Sequence, residues 1–110
     1  MKLPDDVIIS QLKLRKYLLS LRRRNDKSRW LAQAGYHDGN WQILEKDIRE
    51  LIAMHEAVPV EKNEYGQLYQ INGRLTGPNG TTLPVCTVWM HESETSAIKF
   101  ITMFPFKGRT

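Results

Sequence analysis

Apolar residues recur at helical spacing through the first half of the chain and at strand spacing through the second. Leu14, Tyr17, Leu18 and Leu21 fall at i, i+3, i+4 and i+7. That predicts one stripe on a helix running from about Ser10, its N-cap, to Arg23. Trp30, Leu31 and Ala34 predict a second, short helix, capped by Asn25 or Asp26 and closed by Gly35. Asn40 is placed to cap a third, whose buried face carries Trp41, Leu44, Ile48, Leu51, Ile52 and His55. Glu45 and Arg49 pair on its wet side.

After His55 the period falls to two. AVPVEK (57–62) predicts a strand, and Pro59 places it at a sheet edge. QLYQINGRL (67–75) alternates, GPNG (77–80) marks a tight turn, and TLPVCTVWMH and AIKFITMFP predict two further strands. Helices followed by hairpin-linked strands imply an α+β domain. The expectation is a single domain over 1–110, helical over 10–56 and sheet over 57–106. In it, three N-terminal helices pack on a four-stranded antiparallel sheet.

Composition narrows the picture. A chain of 110 residues, 41% hydrophobic and 25% charged, is sized for one core. The single cysteine, Cys86, lies in the apolar run LPVCTVWM and is expected to be a buried structural thiol. No segment has the form of a signal peptide or a bilayer span, so the expected location is the cytoplasm. The net charge of +4 and pI near 9.4 favour acidic partners such as nucleic acid.

The candidate chemistry is limited. His37, His55 and His91 lack the spacing of metal ligands, and the glycines at 66, 73, 77 and 80 punctuate hairpins instead of cradling a phosphate. Ser10, Ser20 and Ser28 lie in no nucleophile elbow. What stands out is a cationic run: eight Lys or Arg from Lys13 to Arg29, with Asp26 the one acid among them. Arg22, Arg23 and Arg24 fall at the predicted end of the first helix, where cations complement the macrodipole. Lys27 and Arg29 fall in the first turn of the second, where the dipole disfavours cations and welcomes an anion. Crowding there is expected to lower the Lys27 pKa, as a general base requires. In the last two strands, Thr87 and Trp89 share one side, and Thr102 interrupts the apolar set Ile98, Phe100 and Phe104.

These pieces, in this order, resemble an uncharacterised bacterial domain family found alone, beside small antitoxins, or at the C-termini of large polymorphic toxins. The matching stretches are KLP (2–4), LKLRKYLL (12–19), DKSRWLAQAGY (26–36), WQIL (41–44), EYGQLYQINGRLTGPNG (64–80), CTVWM (86–90) and KFITMFP (99–105). That family is similar to the barnase–EndoU–colicin–RelE (BECR) ribonuclease superfamily. The resemblance implies N-terminal helices on a four-stranded antiparallel sheet and metal-independent RNA cleavage by 2′-hydroxyl attack on the adjacent phosphate. It carries roles onto Lys27, Arg29, Thr87, Trp89 and Thr102. Ser28, Trp30 and Phe104 depart from the family's Ala, Phe and Tyr.

The expectation is therefore a small bacterial toxin with endoribonuclease activity, needing no cofactor and neutralised by a small acidic antitoxin or immunity protein. Lys27 would act as base or transition-state cation. Arg29, with Arg22, Arg23 and Arg24, would hold phosphates, and Thr102 and Thr87 would orient the reacting groups. Tyr69 or Trp89 would stack on a base, with His37 a reserve acid or base. Two other classes fit the same residues: a non-enzymatic nucleic-acid-binding module, and an immunity-type protein that docks a partner along the strand edge at 57–62.

Overall fold

The structure, a computed structural model, describes residues 1–20 and 27–106. Four strands, β1 (Val58–Asn63), β2 (Gly66–Thr76), β3 (Thr82–Glu92) and β4 (Ile98–Pro105), pair in chain order into one antiparallel sheet, as the alternation predicts. The β2–β3 ladder is unbroken from Gly66↔Glu92 to Thr76↔Thr82. At the GPNG turn, Gly77 N donates to Thr81 O, and a Cβ at Gly77 would collide with the carbonyl oxygen of Ala34. Only glycine lets the hairpin tip sit this close to the helical layer. Asn79 then clamps the tip, its Nδ2 donating to Gln33 O at 3.0 Å.

β1 is exposed along its whole length and lies at the sheet edge, where Pro59, opposite Tyr69, can lack an N–H. The opposite edge is partly covered. Ile8 N donates to Ile98 O at 2.8 Å, and Phe100 N donates to Ile8 O at 2.9 Å. β4 also carries a bulge. Val88 faces Thr102 and Trp89 faces Phe100, leaving Ile101 as the extra residue. The strand's alternation is reset there: Phe100 and Met103 are buried, Thr102 is half-buried and Phe104 is 39% exposed. The apolar set Ile98, Phe100 and Phe104 thus does not share one buried face.

The helical layer departs from the three-helix expectation, which is corrected here. Among the described residues one regular helix forms, α2 (Trp41–Met54), burying Leu44, Ile48, Leu51 and Ile52 against the sheet. α1 (Ser28–Ala32) is only five residues long, because Gly35 at φ +92° turns the chain away. In the described part of the segment read as a helix from Ser10 to Arg23, residues 11–12 begin a helical turn that continues as a six-residue π-helical piece, Lys13–Leu18, closed by Leu19 N donating to Leu14 O. The wider turn puts Leu14, Leu18 and the following Leu19 all inside the core. Leu21 and the expected caps Asn25 and Asp26 lie outside the described residues. Asn40 provides no side-chain cap for α2. Its Oδ1 accepts from His37 N and its Nδ2 donates to Gly35 O, so it serves the 3₁₀ turn Asp38–Asn40 that precedes the helix.

The core joins these parts. Leu14, Leu18, Leu31 and Tyr36 from the helical side meet Ile71, Leu75, Val85, Trp89 and Met103 from the sheet. Cys86 is buried, and burial pushes its thiol above the ordinary range, the state of an inert structural cysteine. Arg49 ties the N-terminal stretch down, bonding Glu45 Oε2 at 3.0 Å and Val7 O at 3.0 Å. Among the described residues, no helix is long and apolar enough to cross a membrane.

Candidate functional site

The fold brings together three side chains from far apart in the chain: Tyr17 in the π-helical piece, Lys27 just before α1, and Thr102 beside the β4 bulge. Lys27 Nζ donates to Thr102 Oγ1 at 3.0 Å and reaches Tyr17 Oη at 3.5 Å. Thr102 Oγ1 donates to Tyr17 Oη at 3.3 Å. Lys27 Nζ stands 5.1 Å from the Tyr17 ring centroid and Lys13 Nζ 5.2 Å, within cation–π range. All three members are half-buried, so the cluster is supported from below and open to solvent.

Local structure explains each placement. The π turn carries Lys13 and Tyr17 on one side while Leu14 and Leu18 go into the core. The bulge keeps Thr102 out of the core, between buried Phe100 and Met103. Arg15 anchors the π-helical piece from its other side through a bidentate pair with Asp38, Nε to Oδ1 at 2.8 Å and Nη2 to Oδ2 at 3.0 Å.

The electrostatics act on the phenol. The hydrogen bond from Thr102 pulls the Tyr17 pKa below its ordinary value. The charges of Lys27 and Lys13 add to that pull, and burial opposes it. A phenol whose oxygen accepts from two donors and whose ring lies within reach of two lysine side chains is stabilised as phenolate. The arrangement can hold a phosphate oxygen on Lys27, which Thr102 positions, and exchange a proton at Tyr17. Among the described residues, no three His, Cys, Asp or Glu side chains gather at metal-binding distance.

Of the residues singled out from the sequence, Lys27 and Thr102 meet directly. Arg29 is exposed on α1. A five-residue helix has little dipole, so the anion site expected at its N-terminus has no basis in α1 itself, and Lys27 is directed at Tyr17 and Thr102 instead. Arg22, Arg23 and Arg24 lie outside the described residues. Thr87 and Trp89 are both 0% exposed. Thr87 Oγ1 donates to Ile71 O at 3.0 Å and accepts from Trp89 Nε1 at 2.9 Å, while the indole packs edge-on against Phe100. Neither can touch a substrate in this conformation; both hold the sheet beneath the cluster. Tyr69, half-buried, packs against the core beside Trp89. His37 Nδ1 accepts from Gly39 N in the 3₁₀ turn.

Tyr17 was not among those residues, because the helical stripe assigns it to the apolar face. Its hydroxyl is the overlooked signal: a tyrosine inside an apolar stripe needs a polar partner for its oxygen.

A family described as a domain of unknown function (DUF6883) matches residues 2–107. No curated protein matches the chain. Among solved structures, the fold is similar to a chain of a contact-dependent growth inhibition toxin–immunity protein complex from Klebsiella pneumoniae 342. The two share 18% sequence identity and superpose with a TM-score of 0.70, over 94% of this chain and 96% of that one.

Proposed function

We propose that this chain, which belongs to the DUF6883 family of domains of unknown function, is a small toxin acting as a metal-independent endoribonuclease. The observation that carries this reading is the 3.0 Å contact between Lys27 and Thr102, which lie 75 positions apart. The resemblance to bacterial ribonuclease toxins assigns a role to both residues, and the contact is polar, half-open and next to a polarised phenol. The similarity in fold to a chain from a toxin–immunity complex supports a toxin or immunity-type role, and with either a dedicated partner protein.

In this reading the Lys27 side chain donates to the non-bridging phosphate oxygens as charge builds in the transition state. Thr102, whose oxygen accepts from Lys27, orients that side chain toward the phosphate. Arg29 gathers the RNA backbone electrostatically, with Arg22, Arg23 and Arg24 as further contributors, so binding weakens as salt rises. Thr87 and Trp89 keep the sheet rigid beneath the reacting group.

One observation favours a second reading. Among the described residues, the outer edge of β1 has no strand partner, and it carries Val58 and Val60 at 56% and 50% exposure, a surface onto which a partner strand can add. An immunity-type protein would use that edge without catalysis.

Induced expression in a bacterial host separates the readings. Wild type should arrest growth and leave discrete RNA fragments, and Lys27→Ala and Thr102→Ala should do neither. Soluble, folded wild-type protein with normal growth and intact RNA refutes the ribonuclease assignment.

A further inference from the structure

Lys27 donates to both of its neighbours in the cluster, and an ammonium that donates has no lone pair with which to take a proton. A threonine hydroxyl is too weakly basic to serve at neutral pH. The oxygen of Tyr17 is the place where the cluster's hydrogen bonds converge: it accepts from Lys27 at 3.5 Å and from Thr102 at 3.3 Å. Lys13, from the same π-helical piece, adds a second cation 5.2 Å from the ring. Each of these contacts strengthens when the phenol becomes a phenolate. The π turn makes the arrangement possible, since it keeps Lys13 and Tyr17 together at the surface while Leu14 and Leu18 anchor the backbone in the core. Short π segments are frequent at functional sites.

The geometry points to Tyr17 as the base that takes the 2′-hydroxyl proton of the RNA, with Lys27 and Thr102 holding the phenolate that receives it. This rests on the ribonuclease reading and adds to it the group that starts the reaction. The 2′-oxygen loses its proton to the Tyr17 oxygen and forms a bond to phosphorus. The bond from phosphorus to the 5′-oxygen breaks, and that oxygen takes a proton from solvent water. The products are a 2′,3′-cyclic phosphate and a 5′-hydroxyl, with no oxidant or metal consumed. Tyr17 returns its proton to solvent. The lowered Tyr17 pKa agrees with this role, because a base works best with its pKa near the working pH.

The test uses the full chain and total bacterial RNA, with the initial cleavage rate followed from neutral to alkaline pH. For wild type the rate should climb with pH to a plateau, and its midpoint should match the Tyr17 phenolate absorbance, read as wild type minus Tyr17→Phe. Tyr17→Phe should lower the rate by about 10²–10⁴-fold and flatten the profile. Replacing Tyr17 with a ring-fluorinated tyrosine, which acidifies the phenol while keeping its shape, should move the midpoint to lower pH. Lys13→Met should move it to higher pH. If Tyr17→Phe does not fold, the fluorotyrosine protein decides. Folded Tyr17→Phe that cleaves within a few-fold of wild type, or a midpoint unmoved by fluorination, overturns the role of Tyr17 and leaves the ribonuclease reading standing. Wild type that leaves RNA intact overturns both.

Discussion

Tyr36 is 1% exposed and its hydroxyl donates to Asp47 Oδ2 at 2.6 Å, whereas Tyr17 is half-buried and its oxygen accepts from Lys27 and Thr102. Burial and the Asp47 carboxylate push the Tyr36 phenol above the ordinary range; the Thr102 hydrogen bond and two lysines pull Tyr17 below it. One phenol keeps its proton and clasps α2 to the loop after α1. The other sits where a proton is readily given up. The direction of the hydrogen bond separates them: a tyrosine that donates to an anion is a structural tie, and one that accepts from a hydroxyl and a lysine is chemically poised.

The contrast breaks first at the cluster. Lys27→Ala should lower RNA cleavage by at least about 100-fold, roughly 2.7 kcal/mol of barrier. Because Lys27 is half-buried, the melting temperature should barely change. A loss of stability matching the loss of activity would make Lys27 a structural residue like Tyr36. Tyr36→Phe should do the reverse. It leaves the Asp47 carboxylate without a buried donor and should destabilise the fold by about 1–3 kcal/mol in chemical denaturation, with cleavage within a few-fold of wild type.

Alkaline pH sharpens the comparison with opposite signs. The raised Tyr36 pKa gives stability that is full below the unfolded tyrosine value of about 10 and is lost as pH rises through the folded one. The lowered Tyr17 pKa gives stability that appears as pH rises through the folded value and is full above about 10. Tyr36→Phe should therefore flatten the alkaline fall in melting temperature, and Tyr17→Phe should steepen it. Equal slopes in the two variants would contradict the assigned environments. The smallest effect concerns the anchor behind Tyr17. Arg15, through its hydrogen bond, holds the Asp38 carboxyl below its usual range, so their pairing contributes above about pH 4 and fades as pH falls through the lower folded value. The melting-temperature gap between wild type and Arg15→Met should close on acidification. Both side chains are well exposed, so the gap itself should be small.

The sheet was readable because each of its signals is local. Period-two alternation in QLYQINGRL, the GPNG turn and Pro59 in AVPVEK specify a hairpin and an edge without reference to distant residues. α2 was readable for the same reason, from a 14-residue stripe and the Glu45–Arg49 pair. The other two helices were not. The stripe of Leu14, Tyr17 and Leu18 fits α winding and π winding alike. Whether an amide bonds five residues back instead of four leaves no mark on so short a stripe, and core packing decides between them. In DKSRWLAQAGY, three apolar residues before a glycine are too few to fix a length.

At the site, the residues that carry the chemistry were visible as types and as family positions, and Lys27 and Thr102 were named on that basis. Sequence by itself determined which side chains were present, their charge, and the hairpin order of the sheet. Tertiary structure alone decided that Ile101 bulges, which turns Thr102 away from the core. It also decided that a π turn presents Tyr17 to Lys27, and that Thr87 and Trp89 are enclosed. The physical reason is range. Periodicity and turn chemistry act over a few residues. A contact across 75 positions, or a one-residue slip that exchanges inside for outside, is set only when the whole core closes.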